Sequence, residues 1–253
     1  MFDILKTRIQ QKHRTIRWPD GPAPDLPARF AGRPVVRSGA CAAGCRICAN
    51  ACPVGAITAG GASGPGIDTG KCLFCRACES ACPYGAICFG KEYRLAATRR
   101  EDLVVGAGSP DPAGALCERA AKLFGRSLKL RQVSAGGCNA CEADSNVLGT
   151  LAWDMGRFGI QFVASPRHAD GLLITGPVTR NMHLALRKTY EAVPDPKVVI
   201  AVGACAIAGG PYADHPEQHN GAASVVPVDL YVPGCPPHPL TILDALLRFL
   251  GRV

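Results

Sequence analysis

The sequence of 253 residues predicts an α/β fold, with a parallel sheet over residues 128–253 and a smaller α+β unit before it. Three observations carry this. Beyond residue 128, short β-rich runs alternate with amphipathic helical segments, the pattern of strands joined by crossover helices. Before it, two blocks of four cysteines repeat 30 positions apart, too compact for anything but a small unit organised by those cysteines. Between the two regions the pattern lapses into Gly- and Pro-containing sequence.

Residues 1–36 are expected to form an N-terminal arm. Phe2, Leu5, Ile9 and Ile16 recur at roughly helical spacing among Lys6, Arg8, Lys12, Arg14 and Arg17. That suits a basic amphipathic helix on an anionic membrane surface or a partner, and equally a solvated terminus. Residues 19–34, rich in Pro, Gly and Ala, read as an extended stretch. The terminus has no apolar core of the kind a secretory signal needs, and no window of the chain suits a bilayer span. Fourteen cysteines in a chain expected to be cytoplasmic point to metal rather than disulfides.

Residues 37–95 hold the blocks Cys41-x3-Cys45-x2-Cys48-x3-Cys52-Pro53 and Cys72-x2-Cys75-x2-Cys78-x3-Cys82-Pro83, joined by a Gly-rich connector at 60–66. This is the bacterial-type ferredoxin run. Three cysteines wrap one cubane cluster, and the fourth, before proline, crosses to the cluster of the other half. The spacing therefore assigns Cys41, Cys45, Cys48 and Cys82 to one 4Fe–4S cluster and Cys72, Cys75, Cys78 and Cys52 to another. Pro53 and Pro83 end the ligand helices; Gly55 and Gly85 turn the chain into the strands that follow. One residue too many separates Cys41 from Cys45, so the loop there is expected to bulge.

Residues 96–127 read as a linker, with Arg99 and Arg100, a Gly/Pro stretch at 106–114 and a helical segment at 115–124. Cys88 and Cys117 fall outside every ligand pattern and are expected to act as small buried hydrophobes.

Residues 128–253 give strands at 128–133, 160–164, 171–175, 198–202 and 230–232, with helices at 146–157, 182–193 and 240–250. The right-handed crossover rule puts the carboxyl ends of these strands on one edge. Cys138 and Cys141 follow the first strand, Cys205 the fourth and Cys235 the fifth. Four thiolates converging at the crevice of a doubly wound, flavodoxin-like sheet suit zinc or a third 4Fe–4S cluster, and the clusters upstream favour the latter.

Among nearby residues, Glu142 reads either as a helix-dipole carboxylate or as a proton or interface group, and Asp144 shares both readings. Arg167 lies near the cluster, on a partner face or in a surface ion pair. His168, His183, His215 and His219 lack ligand spacing, and His238, three residues after Cys235, is not needed by a site with four thiolates.

Charge and absences narrow the function. Residues 1–126 hold 18 Lys/Arg against 10 Asp/Glu, while the rest is balanced. Nucleic-acid binding lacks a motif, and three clusters at about −2 each would bring the chain close to neutral. There is no P-loop, no strand-linked G-x-G-x-x-G and no C-x-x-C-H. With twelve patterned cysteines assigned, no thiolate quartet remains for a NiFe centre, so a catalytic metal would belong to another chain.

Two resemblances follow from these motifs. Residues 26–95, with Leu26-Pro-Ala-Arg-Phe-Ala-Gly-Arg-Pro34 and Ile67-Asp-Thr-Gly-Lys-Cys72, resemble the two-cluster 23 kDa-type subunit of complex I and its hydrogenase relatives. Residues 128–251 resemble the 20 kDa subunit of complex I and the small subunit of NiFe hydrogenases, through Cys138-Asn-Ala-Cys141-Glu, Ala164-Ser-Pro-Arg167-His-Ala-Asp170, Gly203-Ala-Cys205 and Val232-Pro-Gly-Cys235-Pro-Pro237. Complex I members typically have adjacent cysteines at the first motif; C-x-x-C is the hydrogenase form. The resemblance implies a fusion of two electron-transfer subunits of an energy-converting, formate hydrogenlyase-type hydrogenase. It implies three 4Fe–4S clusters, a NiFe hydrogenase-like (or complex I 49 kDa-like) large subunit, and a formate dehydrogenase or ferredoxin-type electron partner. It also implies attachment to the inner face of the cell membrane through partner subunits. The rival readings are a quinone-reducing complex I-type subunit and a zinc-binding interaction protein.

Overall fold

In the computed structural model, the structure describes residues 2–12, 14–42, 44–60, 64–106, 124 and 126–253. The expected helix at 115–124, apart from Phe124, and Cys117 lie outside the described residues.

The C-terminal half is built on five parallel strands: β6 (Leu128–Ser134), β7 (Ile160–Phe162), β8 (Gly171–Thr175), β9 (Val198–Val202) and β10 (Leu230–Val232). Their order is β10-β9-β8-β6-β7, the flavodoxin-like arrangement, with its switch point between β6 and β8. Gly171–Thr175 and Val198–Val202 are buried along their whole length, as expected of central strands covered on both faces. One face packs Leu130, Leu173, Ile200 and Val232 against the last helix; the other packs Val133, Leu172, Ile174 and Val199 against Leu186.

The last helix, Pro239–Phe249, is buried at every residue except Arg248, and it is apolar apart from a stripe of Thr241, Asp244 and Arg248 in which Arg248 pairs with Asp244. One side faces the sheet. The other is covered by the N-terminal arm, where Trp18 is buried in the same core, with Ile16, Leu26 and Tyr93 packed against it. The arm is thus extended but pinned. Ile16 donates its N–H to the Ala152 carbonyl, and Arg157 donates to the carbonyl of Trp18. Ile16 therefore belongs to this seam and not to the amphipathic helix. That helix, α1 (Phe2–Gln11), is exposed throughout, with Phe2 88% and Ile9 75% exposed.

The ferredoxin half contains two related sheets. β1 (Pro34–Val36) pairs antiparallel with β4 (Ile87–Phe89), while β2 (Ile57–Thr58), β3 (Gly66–Asp68) and β5 (Val104–Val105) form the second. Two short helices, α2 (Ile47–Asn50) and α3 (Ala77–Ala81), carry the middle cysteines and stop before Pro53 and Pro83. Residues 96–105, expected as linker, are built into both halves. Ala97 exchanges two backbone hydrogen bonds with Tyr231 of β10, and β5 completes the β3 sheet. The Arg100 guanidinium holds both oxygens of Asp68, at 2.9 and 2.7 Å.

Candidate metal centres

In the ferredoxin half the repeat is visible atom by atom. Gly55 and Gly85 adopt φ of 59° and 57°, and the turns they make aim the Ala56 and Ala86 N–H groups at Cys52 Sγ (3.2 Å) and Cys82 Sγ (3.4 Å). The Phe74 N–H likewise reaches Cys72 Sγ at 3.2 Å. Such bonds favour the thiolate and tune what it holds.

The sulfurs fall into three groups. The Cys41 thiol is held up by desolvation, by Cys45 and by Cys82, and the Cys48 thiol by burial together with Cys41 and Cys45. Burial pushes Cys72 up to about 12, with Cys78, Cys52 and Cys75 adding to it; Cys78 rises to about 11 from burial, Cys52 and Cys75. In the α/β half, burial raises Cys141 strongly, and Cys205, Cys235 and Cys138 press the same way. Cys205 is raised to about 11 by burial, then Cys235 and Cys138. Thiols raised by burial and by neighbouring sulfurs need cations beside them to become thiolates, so the donor chemistry fits a bound metal cluster. Among the described residues, no three His, Cys, Asp or Glu side chains converge as a single ion requires. A zinc ion would draw its sulfurs to about 2.3 Å from one point.

The third group sits at the carboxyl edge of the sheet, beside the switch point. Helix α4 (Ala140–Val147) begins in the Cys138 loop behind Asn139 at φ 70°. It ends ten residues before the expected boundary at 157. Gly149 follows, Asp154 takes φ 45°, and Met155–Phe158 forms only a 3₁₀ turn that buries Met155. Gly203, at φ +91°, lies against Cys141: a Cβ there would stand 2.5 Å from its sulfur. Gly210 does the same to Cys205 at 2.7 Å. Both glycines let the backbone close on a cysteine sulfur where a side chain could not.

Glu142 is buried, and its Oε1 accepts hydrogen bonds from Ser134 Oγ and Thr175 Oγ1, both at 2.6 Å. It ties α4 to β6 and β8 beneath the site, a role that spacing alone did not reveal. Burial raises the Asp144 carboxyl. Arg167 and His168 are exposed on a 3₁₀ turn; His183 and His219 stack at 4.7 Å, away from the cysteines; Cys88 is half-buried on β4.

The loops of the second and third groups meet at the seam, where Leu73 and Phe74 share a pocket wall with Cys235. Cys75 adds to the upward push on the Cys235 thiol, which burial and then Cys138 dominate. A pocket of about 230 Å³ opens between them, walled by Phe30, Phe74, Asp144, Cys235, His238 and Thr241. Thr241 is 1% exposed, and its Oγ1 has no partner. Cys75, Cys138 and Cys235 are exposed.

Comparison with known proteins places these motifs. Residues 138–249 match the family described as NADH ubiquinone oxidoreductase, 20 kDa subunit, and residues 40–86 match a 4Fe–4S dicluster domain. The chain is 42% identical to the probable membrane-bound hydrogenase subunit mbhJ of Pyrococcus furiosus, over 52% of this chain and 79% of that protein. It is 44% identical to formate hydrogenlyase subunit 7 of Escherichia coli, over 51% of each. Against an NADH-quinone oxidoreductase subunit of Heliobacterium modesticaldum the identity is 42%, over 47% of this chain and 69% of that one.

Proposed function

Because the chain belongs to the family of the NADH ubiquinone oxidoreductase 20 kDa subunit and carries a 4Fe–4S dicluster domain ahead of it, it is an iron–sulfur electron-transfer subunit, and we propose that it serves a membrane-associated NiFe hydrogenase of the formate hydrogenlyase type. Three 4Fe–4S clusters are assigned: Cys41, Cys45, Cys48 and Cys82 hold the first, Cys72, Cys75, Cys78 and Cys52 the second, and Cys138, Cys141, Cys205 and Cys235 the third. When bound, such clusters accept and release single electrons. The loop of the second group, through Leu73 and Phe74, shares a pocket wall with Cys235 of the third.

The observation that carries the hydrogenase reading over the quinone-reducing one is the pair of residues, Asn139 and Ala140, between Cys138 and Cys141. Identity does not separate the two, since relatives of both kinds stand at 42%. Cys138 and Cys235 are the exposed residues of the third group, and a large subunit carrying the NiFe centre would cover them. The first group would exchange electrons with a formate dehydrogenase or ferredoxin-type partner. No helix among the described residues is long and apolar enough to cross a membrane, so attachment would run through partner subunits.

The test is metal analysis of the anaerobically purified chain followed by activity of its complex. About twelve iron atoms and twelve acid-labile sulfides per chain are expected. Zinc without sulfide would sink the reading. Hydrogen evolution by the complex is expected; quinone-dependent oxidation without it would move the chain to the quinone-reducing branch.

A further inference from the structure

Electron transfer between the second and third cysteine groups crosses the seam between the halves, so whatever fixes that seam fixes the transfer. The Cys235 loop is held by a short run of contacts that begins in the ferredoxin half. Lys91, two residues after β4, points its ammonium at three carbonyls of the arm: Pro27 at 2.7 Å, Ala28 at 2.8 Å and Phe30 at 3.0 Å. Three acceptors match the three donors of an ammonium, so the turn at 27–30 is clamped to β4. The Lys91 nitrogen also stands 5.9 Å from the centre of the Phe30 ring.

Phe30 then meets His238 edge-to-face, with ring centres 5.5 Å apart at 79°. His238 is itself locked. Its Nδ1 accepts the Leu240 N–H at 3.2 Å and caps the last helix, and Trp153 meets the ring at 5.9 Å and 76°. Trp153 follows residues 151 and 152, whose carbonyls accept from Thr15 Oγ1 and the Ile16 N–H. The arm is thereby gripped at both ends, once by each half, and its aromatic contact falls three residues from Cys235.

We propose that Lys91, Phe30 and His238 form a positioning bridge that holds the Cys235 loop against the ferredoxin half and sets the separation of the second and third clusters. The bridge rests on the electron-relay reading above and adds to it the residues that fix its critical gap. Without it, the pocket at the seam has room for the loop to shift, because Phe30 and His238 are two of its walls. Aromatic pairs of this geometry favour one arrangement of a loop without holding up a fold.

The test uses the full chain in its assembled complex, purified without oxygen, as wild type and as Phe30→Ala, Phe30→Tyr, His238→Ala and Lys91→Met. Iron and sulfide are counted first; a wild-type chain lacking them would overturn the relay reading and the bridge with it. In loaded samples, electron paramagnetic resonance of the fully reduced complex reads the magnetic interaction between neighbouring clusters. Rapid mixing with a one-electron reductant reads the rate at which the third cluster is filled. Phe30→Ala and His238→Ala are expected to keep full iron content, weaken the interaction and slow the filling several-fold, with Phe30→Tyr restoring both. Unchanged interaction and rate in the alanine variants and in Lys91→Met would overturn the bridge and leave the relay standing. Should either alanine variant fail to load, Lys91→Met decides alone, since it removes only an exposed clamp.

Discussion

In the ferredoxin half, Cys48, Cys72 and Cys78 belong to the buried core itself, together with Val36, Ala56, Ile57, Ile67, Ile87 and Phe89. In the α/β half, Cys138, Cys141, Cys205 and Cys235 lie at the rim of a sheet whose two faces are filled by Leu, Ile and Val from strands and helices. The core of the first region is small and is made in part of its own cysteines. The second has its own core and carries the site as an addition. A small unit folds around its cofactor, whereas a larger one can place a cofactor on a finished scaffold.

The sharpest way to break this contrast is to remove the metal. Stripping iron and sulfide with acid and chelator is expected to abolish amide protection at β1, β2 and β4 while leaving β6, β8 and β9 slow to exchange. Hydrogen exchange with mass analysis reads both, and surviving protection at Ile57 and Ile87 would refute the contrast. Next in size, Leu173→Ala, at a fully buried sheet position, should cost about 2–5 kcal/mol in denaturant unfolding of the α/β half. Cys205→Ala should abolish the third cluster signal with far less effect on that unfolding; equal losses would make the site part of the scaffold after all.

Gly203→Ala sharpens the point at the boundary between site and scaffold. The residue would be forced into φ +91° with its Cβ on the Cys141 sulfur, for a strain of about 1–3 kcal/mol. Loss of the third signal is expected together with a modest fall in stability. The smallest effect lies at Glu92, three residues after β4. The Arg94 side chain, hydrogen-bonded to Glu92, holds its carboxyl below the ordinary glutamate range. A lowered acid stabilises the fold above its unfolded pKa and loses that contribution as pH falls through the folded value. Acid titration of unfolding should therefore be shallower in Glu92→Gln, and an unaltered curve would show that the pairing of Glu92 with Arg94 adds nothing to stability.

How much was readable in advance differs between the same two regions. The repeat of Cys52-Pro-Val-Gly-Ala-Ile57 in Cys82-Pro-Tyr-Gly-Ala-Ile87 spells out the turns, the crossover prolines and the strands, because each of those features is local. The strands at 171–175 and 198–202 were legible as runs of Val, Ile and Leu. The helix after Cys141 was not. Its stop at Val147 depends on how Leu148 and Met155 bury, which the apolar spacing of 146–157 could not convey. Nor did composition reveal that the arm is clamped by Lys91, a residue more than 60 positions away, or that 96–105 serves as strand and seam instead of linker. For Glu142 the sequence left a helix-dipole role and a proton or interface role side by side, and neither conveyed that Ser134 and Thr175 hold it from two strands.

The paired hydrogen bonds between Ala97 and Tyr231, and Trp18 in the core under the last helix, have the character of a contact between subunits. Here that contact is written within one polypeptide. Tethering raises the effective concentration of one half for the other far above what free association reaches in dilute solution. It also fixes their stoichiometry at synthesis: every copy made brings one ferredoxin unit for each sheet, so neither half can be incorporated without the other.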